Sequence, residues 1–312
     1  MLGKYTIVCC AAATKVYKRQ TVVADNLVCK GVLPAAPVQM FTGRLLERDT
    51  GRVSVSRGRH WKLRLAMRAQ ADEGCATGAD IFRIIGHFNW AALVRRPLLS
   101  IFSAAYKFAN RAGDNRWRLW PQVIAGLRAA SALVGFCYID TRRPIDTTVV
   151  STDACTGDLN PAGTGFGGHG VTERVLLADM IWDAARRSER WRYSVDMVIS
   201  ARQFAFDQHE GVGTKVPLPP RGFASLDEDM LFPMDSWKEV LFGRWSREDD
   251  ILRLEGRALL IGLRRRLRAL RSRGSLMLFL CDNLSLTMAI TKGRSSGHLL
   301  NKTCRELCAL SI

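Results

Sequence analysis

Six apolar residues in a row, Leu276 to Cys281, come soon after Gly274 and stop abruptly at Asp282. A strand with one wet face alternates apolar and polar positions, so an unbroken run of this length reads as a strand buried on both faces. Covering both faces calls for helices over a sheet, which suits an α/β architecture. Asp282 then emerges at the end of a rigid, buried element, where a carboxylate needs a reason to remain.

Two further acids occupy comparable places. The β-branched run Thr147–Thr152 ends at Asp153. Glu255 stands early in a helix that the sequence starts near Arg247, with Ser246 as N-cap and Asp249 three residues later as a capping-box partner. Leu252, Leu259, Leu263, Leu267 and Leu270 are expected to form the apolar face of that helix, and Gly274 to stop it. Carboxylates from separate elements can hold a pair of hard divalent cations about 3.5–4 Å apart. Asp153, Glu255 and Asp282 are therefore the candidate metal ligands and catalytic acids.

Between these elements, Asn160–Gly170 reads as a glycine-rich hairpin. Val175–Ile181 is a second apolar run, and Trp237–Trp245 is expected to be an alternating strand. The partial G-x-G-x-x-G at Gly163–Gly168 is not followed by a helix start, which argues against a dinucleotide site. Residues 182 to 236, with mixed charge and Pro217-Leu-Pro-Pro220, read as an insertion. A short helix is expected over Leu284–Ile290, and a last one from His298.

The N-terminal half divides in two. Residues 1–75 form a basic segment to which the pattern assigns no fold, beyond a buried strand within Tyr5–Thr14 and a short strand at Val53 and Val55. Residues 76–145 are helical: Ile81, Ile84, Ile85, Phe88 and Ala92 keep helical spacing, Pro97 opens a further stretch, and Pro121 fits the first turn of a third helix. Trp117 and Trp120 are expected to anchor the core.

The net charge of +17 makes a polyanion, nucleic acid above all, the expected partner. The dense arginines from Arg264 to Arg273 fall on the polar side of the Glu255 helix, where Arg264, Arg265 and Arg268 are placed to meet phosphates. Nine cysteines without a Cys-x-x-Cys pair suit buried thiols in a reducing compartment. His298, Cys304 and Cys308 lack a fourth zinc ligand and are assigned to packing. No apolar run reaches the roughly 20 residues that span a bilayer, and the chain is expected to be intracellular and not secreted.

The order of these motifs resembles the RNase H region of retroelement reverse transcriptases, DIRS-type retrotransposons in particular. The T-D-A-S-like first motif and its glycines are matched by Thr152-Asp153-Ala154-Cys155 and Gly163–Gly168. The L-E-x-x-A motif is matched by Leu254–Ala258, and the D-N pair before a helix and a glycine by Asp282-Asn283 and Gly293. Ile84–Trp90 and Trp117–Pro121 are similar to the thumb and connection region that precedes that domain. The resemblance covers residues 80 to 312 and implies an α/β fold: an RNase H-like domain over 146–312, a mixed sheet flanked by helices, preceded by a small helical thumb/connection-like region at 76–145. It further implies Mg²⁺-dependent endonucleolytic hydrolysis of the RNA strand of an RNA–DNA hybrid, with Mn²⁺ as a substitute and Asn283 among the nucleic-acid contacts. The alternative is a binding module that keeps the fold without the activity. Two departures stand out: Cys155 replaces a common serine, and the family's fourth acid, on a later helix, has no candidate, which implies a truncated C-terminus. No Y-x-D-D polymerase hairpin is present.

Overall fold

A computed structural model of the protein describes residues 6–9, 38–41, 44–156, 167–181, 236–246 and 249–312. The glycine-rich turn up to Phe166, the Pro217–Pro220 stretch and nearly all of the expected insertion lie outside the described residues. Strand β1 (Thr6–Cys9) joins the sheet built by the C-terminal half of the chain. β2 (Val38–Phe41), β3 (Arg44–Glu47) and β4 (Arg52–Val55) form an antiparallel meander with Leu46, Val53 and Val55 buried. Helix α1 (Arg57–Glu73) comes next and buries Leu63, Met67 and Ala71 before a left-handed cap at Gly74. The first 75 residues therefore do contain folded elements that the pattern missed. The buried positions of α1 recur only every fourth residue, a stripe too narrow to stand out among its arginines.

After β5 (Cys75–Ala76), helix α2 (Gly78–Ala92) opens on a full capping box between Thr77 and Asp80. It buries Ile81, Ile84, Ile85, Phe88 and Ala92, as their spacing predicts. A 3₁₀ segment, Leu93–Phe102, kinks at the non-helical Arg95, carries Pro97 and leads into α3 (Ser103–Ala112). Then come β6 (Trp117–Arg118) and α4 (Pro121–Leu133), with the proline in its first turn. Trp120 meets Phe108 edge to face at 5.5 Å, whereas Trp117 is 45% exposed, so the anchoring role expected of both belongs to Trp120 alone. β7 (Tyr138–Asp140) pairs with β4, and one apolar core joins this sheet to α1–α4.

The second half is a mixed sheet. β8 (Ile145–Cys155), β9 (Gly168–Val175) and β10 (Lys238–Arg244) are antiparallel neighbours, and Cys155 faces Gly168 across the expected hairpin. β9 ends at Val175, where the apolar run to Ile181 begins: Leu176 turns inward while Leu177 is exposed, so the run leaves the sheet rather than extending it. Helix α5 (Ile251–Arg266) leads to β11 (Leu276–Cys281), which lies parallel to β8. The sheet order is β1-β11-β8-β9-β10, with β1 antiparallel beside β11. Every residue of β11 is buried: Met277, Phe279 and Cys281 pack with the helices on one face, and Leu278 and Leu280 with Leu176 and Ile181 on the other. The two-faced strand read from the sequence is present.

Helix α5 departs from expectation at both ends. Its N-cap is Asp250, whose side chain accepts from the Leu252 N–H, and Asp249 pairs instead with Arg253 and Arg257 at 3.0 Å. At the other end the helix stops at Arg266, leaving Leu270 77% exposed. Gly262 sets how closely α5 lies on the sheet: a Cβ there would stand 3.1 Å from Thr152 Cγ2 and 3.4 Å from Val150 Cγ1. Gly262→Leu is expected to cost about 1–3 kcal/mol through overpacking, read as a lower urea midpoint. Gly86→Ala, at an exposed helical site with nothing within 4 Å, should leave the midpoint unchanged or raise it. Helices α6 (Leu284–Lys292) and α7 (His298–Ser311) complete the layer. Cys304 and Cys308 are buried on α7, whereas His298 at its start is exposed, so the packing role expected of all three belongs to the cysteines. Among the described residues no helix is long and apolar enough to cross a membrane.

Candidate metal centre

Two neighbouring parallel strands bring the aspartates together. In the β8–β11 ladder Ser151 stands opposite Leu280. Two residues further along each strand are Asp153 and Asp282, so the carboxylates reach the same rim of the sheet on strands about 4.8 Å apart. Asp282 lies just past the end of β11, and Asn283 caps α6 by accepting from the Leu286 N–H. That cap turns the chain away from the sheet directly after the acid. Helix α5 supplies Glu255 from above the rim, on the second turn, with its side chain buried.

The tightest group consists of Glu255, Cys281 and Asp282, whose donor atoms all lie within 4.8 Å of one another. Cys281 Sγ is 4.0 Å from Glu255 Oε2, a thiol donating to a carboxylate. Asp153 lies outside that closest set, yet its charge acts on Glu255, and that of Asp282 acts on it. The three acids predicted from the sequence are thus brought into one electrostatic cluster, and Cys281 joins them unforeseen. Its adjacency to Asp282 was the available signal. A buried thiol in an apolar run reads as packing, and only the approach of α5 sets it beside Glu255.

The electrostatics of the cluster are those of crowded, poorly compensated carboxylates. Burial first, then the charges of Asp282 and Asp153, push the Glu255 carboxyl up from an ordinary 4.5 to about 8. Burial and the nearby Asp282 raise Asp153 in the same way. The Ala154 backbone N–H works against both shifts and does not overcome them. Arg253 and Arg257, the nearest cations on α5, are engaged by Asp249. Burial pushes the Cys281 thiol up to about 12, so it stays protonated. A hard cation prefers oxygen donors, and a protonated thiol is not one, so the Glu255–Cys281–Asp282 group as it stands is not an Mg²⁺ site.

The arginines expected to meet nucleic acid are not gathered at the cluster. Arg264 is nine residues beyond Glu255, roughly 14 Å along the helix axis. It pairs with Glu306 at 3.2 Å, and Arg265 lies 3.6 Å from Glu173, while Arg268 is exposed. Arg266, counted within the same basic stretch, is not on the polar side: it is buried and bonded to Asp146 at 2.6 Å and to Ser272 at 2.9 Å. Sequence reasoning also missed His169, which sits directly across the ladder from Ala154 and stacks on Trp245 at 4.4 Å between ring centroids. Comparison with family models, with curated proteins and with solved structures finds no match to this chain.

The raised Glu255 carboxyl sets a pH dependence. The folded state favours the protonated acid, so its contribution to stability is full below the unfolded value near 4.5 and is lost as pH rises through about 8. The metal-free protein is expected to show a falling thermal midpoint between pH 5 and 8. Glu255→Gln should flatten that fall. Identical pH profiles for the two proteins would mean that Glu255 is not crowded by its neighbours.

Proposed function

We propose that the chain is an RNase H-type nuclease that hydrolyses the RNA strand of RNA–DNA hybrids, as part or remnant of a retroelement reverse transcriptase. The observation that carries this reading is the meeting of Asp153, Glu255 and Asp282, from two adjacent parallel strands and one helix, as a cluster that no cation among the described residues is shown to offset. The sheet order is in keeping with it: a three-stranded antiparallel ribbon β8-β9-β10, then α5, then β11 parallel to β8. Thr152-Asp153-Ala154 lies near the end of β8, Leu254-Glu255 early in α5 and Asp282-Asn283 just after β11, an arrangement that supports the resemblance.

Asp153, Glu255 and Asp282 would hold Mg²⁺, which supplies charge stabilisation at the phosphodiester and a bound water of lowered pKa. The residues themselves contribute placement. Asp153 and Asp282 ride on strands fixed by the ladder, and Glu255 on a helix held down at Gly262. Backbone recognition of a hybrid draws on the net charge of +17, and Arg264, Arg265 and Arg268 would meet phosphates flanking the scissile bond rather than the bond itself. A duplex long enough to cross the rim carries phosphates at that distance. The wide minor groove and its 2′-hydroxyls would mark the RNA strand.

A second reading, a binding module without activity, is favoured by two observations. The tightest donor group includes the protonated Cys281 thiol, and among the described residues no fourth carboxylate perturbs the three. Incubation of the protein with end-labelled RNA–DNA hybrid, single-stranded RNA and duplex DNA, in Mg²⁺ and in Mn²⁺, separates the readings. Metal-dependent cleavage of the hybrid RNA alone supports the nuclease. Salt-sensitive hybrid binding without cleavage in either metal supports the module, and salt-insensitive binding removes the case for backbone recognition altogether.

A further inference from the structure

Away from the acid cluster, a cavity of about 450 Å³ opens between the helical layer and the mixed sheet. It lies at the beginning of β11 and the end of α5, while the acids lie at the opposite end of both elements, roughly 20 Å away along a six-residue strand. One wall is aliphatic, formed by Leu263, Leu267, Met277, Ile290 and Leu310. The other carries guanidinium groups from the 3₁₀ segment and its surroundings, Arg95, Arg143 and Arg273 among them; among the described residues no acidic side chain lines the space, and Ile312, whose carboxylate also borders it, forms no ion pair with these three arginines.

Arg95 is the telling residue. It is only 8% exposed, in a non-helical conformation within the 3₁₀ segment, and its hydrogen-bond partner is the Ser311 carbonyl rather than a carboxylate. Burial, and next the neighbouring Arg143 charge, work against its protonated form. Two like charges beside an aliphatic wall are a costly arrangement unless an anion enters between them. Guanidinium groups match oxyanions through paired N–H donors, and the cavity volume is that of small-molecule sites. We infer that this cleft binds a small amphiphilic anion, with its oxyanion head at Arg95 and Arg143 and its aliphatic body against the α5–β11 wall. Such a ligand would bridge the two halves of the fold. The proposal uses none of the acidic cluster and stands independently of the nuclease reading.

Calorimetric titration of the full chain with octanoate, octyl phosphate, octanol and inorganic phosphate tests it. Saturable one-to-one binding of octanoate or octyl phosphate is expected, with octanol and inorganic phosphate at least tenfold weaker; the stronger of the two amphiphiles identifies the head group. Arg143→Gln should weaken binding at least tenfold. Leu267→Trp should abolish it by filling the cavity from a half-buried position at the end of α5. Arg95→Met should keep or raise the ligand-free thermal midpoint and lose the rise that ligand produces. Equal binding of octanol, equal binding of inorganic phosphate, indifference to Arg143→Gln and Leu267→Trp, or no binding of any probe would each overturn the proposal.

Discussion

Asp153→Asn and Asp282→Asn are each expected to lower Mg²⁺-dependent cleavage of hybrid RNA by about 10³-fold or more, because each removes a charge from a site whose electrostatic stabilisation is worth several kcal/mol. The starting activity is itself expected to be slow, with Mn²⁺ rescuing part of it, because three carboxylates hold metal less well than four. Hybrid binding should persist in both variants, or tighten slightly, since a negative charge leaves the path of the phosphates. Binding and cleavage must therefore be measured on the same preparations. Robust cleavage by either variant would show that these are not the catalytic acids, whatever the ladder does to bring them together. Loss of binding along with cleavage would point instead to a folding defect. Circular dichroism on the same samples distinguishes that case.

The second large effect concerns stability. Arg266 and Asp146 are 7% and 4% exposed, joined at 2.6 Å, and tie the end of α5 to the start of β8. Burial alone would raise the Asp146 carboxyl, but hydrogen bonds from Ser272, Arg266 and the Thr148 amide outweigh it and hold the acid below its usual range. Removing Asp146 leaves the buried Arg266 with only the longer Glu173 contact at 3.6 Å, so Asp146→Ala is expected to destabilise by about 3 kcal/mol, the low end for a broken buried pair. The double variant Asp146→Leu/Arg266→Met should recover most of that loss, because the larger part is the desolvated arginine and not the pair itself. The sign of the pH dependence is opposite to that of Glu255. A depressed acid contributes stability above the unfolded carboxylate value and loses it as pH falls through the folded one. Denaturant midpoints of the wild-type protein and the single and double variants, taken at neutral and acid pH, check both statements. An additive double variant would remove the coupling.

How much of the site was legible depended on what each residue had to announce. Asp282 declared itself through the six apolar residues before it, since a carboxylate at that point breaks a pattern set by burial on two faces. Asp153 did so through a β-branched run and the glycines beyond it. Cys281 gave no such sign, because a thiol fits an apolar strand equally well whether or not an acid from another helix stands 4.0 Å away. Arg266 was misplaced for a related reason. In a stretch of arginines the sequence offers no mark of which one turns inward, and only the position of Asp146, at the start of β8 and far away in sequence, selects it.

The alternation expected of β10 is broken by a bulge between Glu239 and Leu241, but the sequence by itself determined the period of some main elements, the two-faced strand β11 and the helical spacing of α2, and the chemical type of the three acids. These are local properties, written in residues a few positions apart. Tertiary structure alone decided the ladder register that levels Asp153 with Asp282, the approach of α5 at Gly262 that lowers Glu255 toward them, and the folding of α1 into the helical layer. It also paired β1 with β11 from opposite ends of the chain. Each of these depends on contacts between segments far apart in sequence, whose geometry is fixed by packing and hydrogen bonding across elements, and no local pattern of residues encodes that distance.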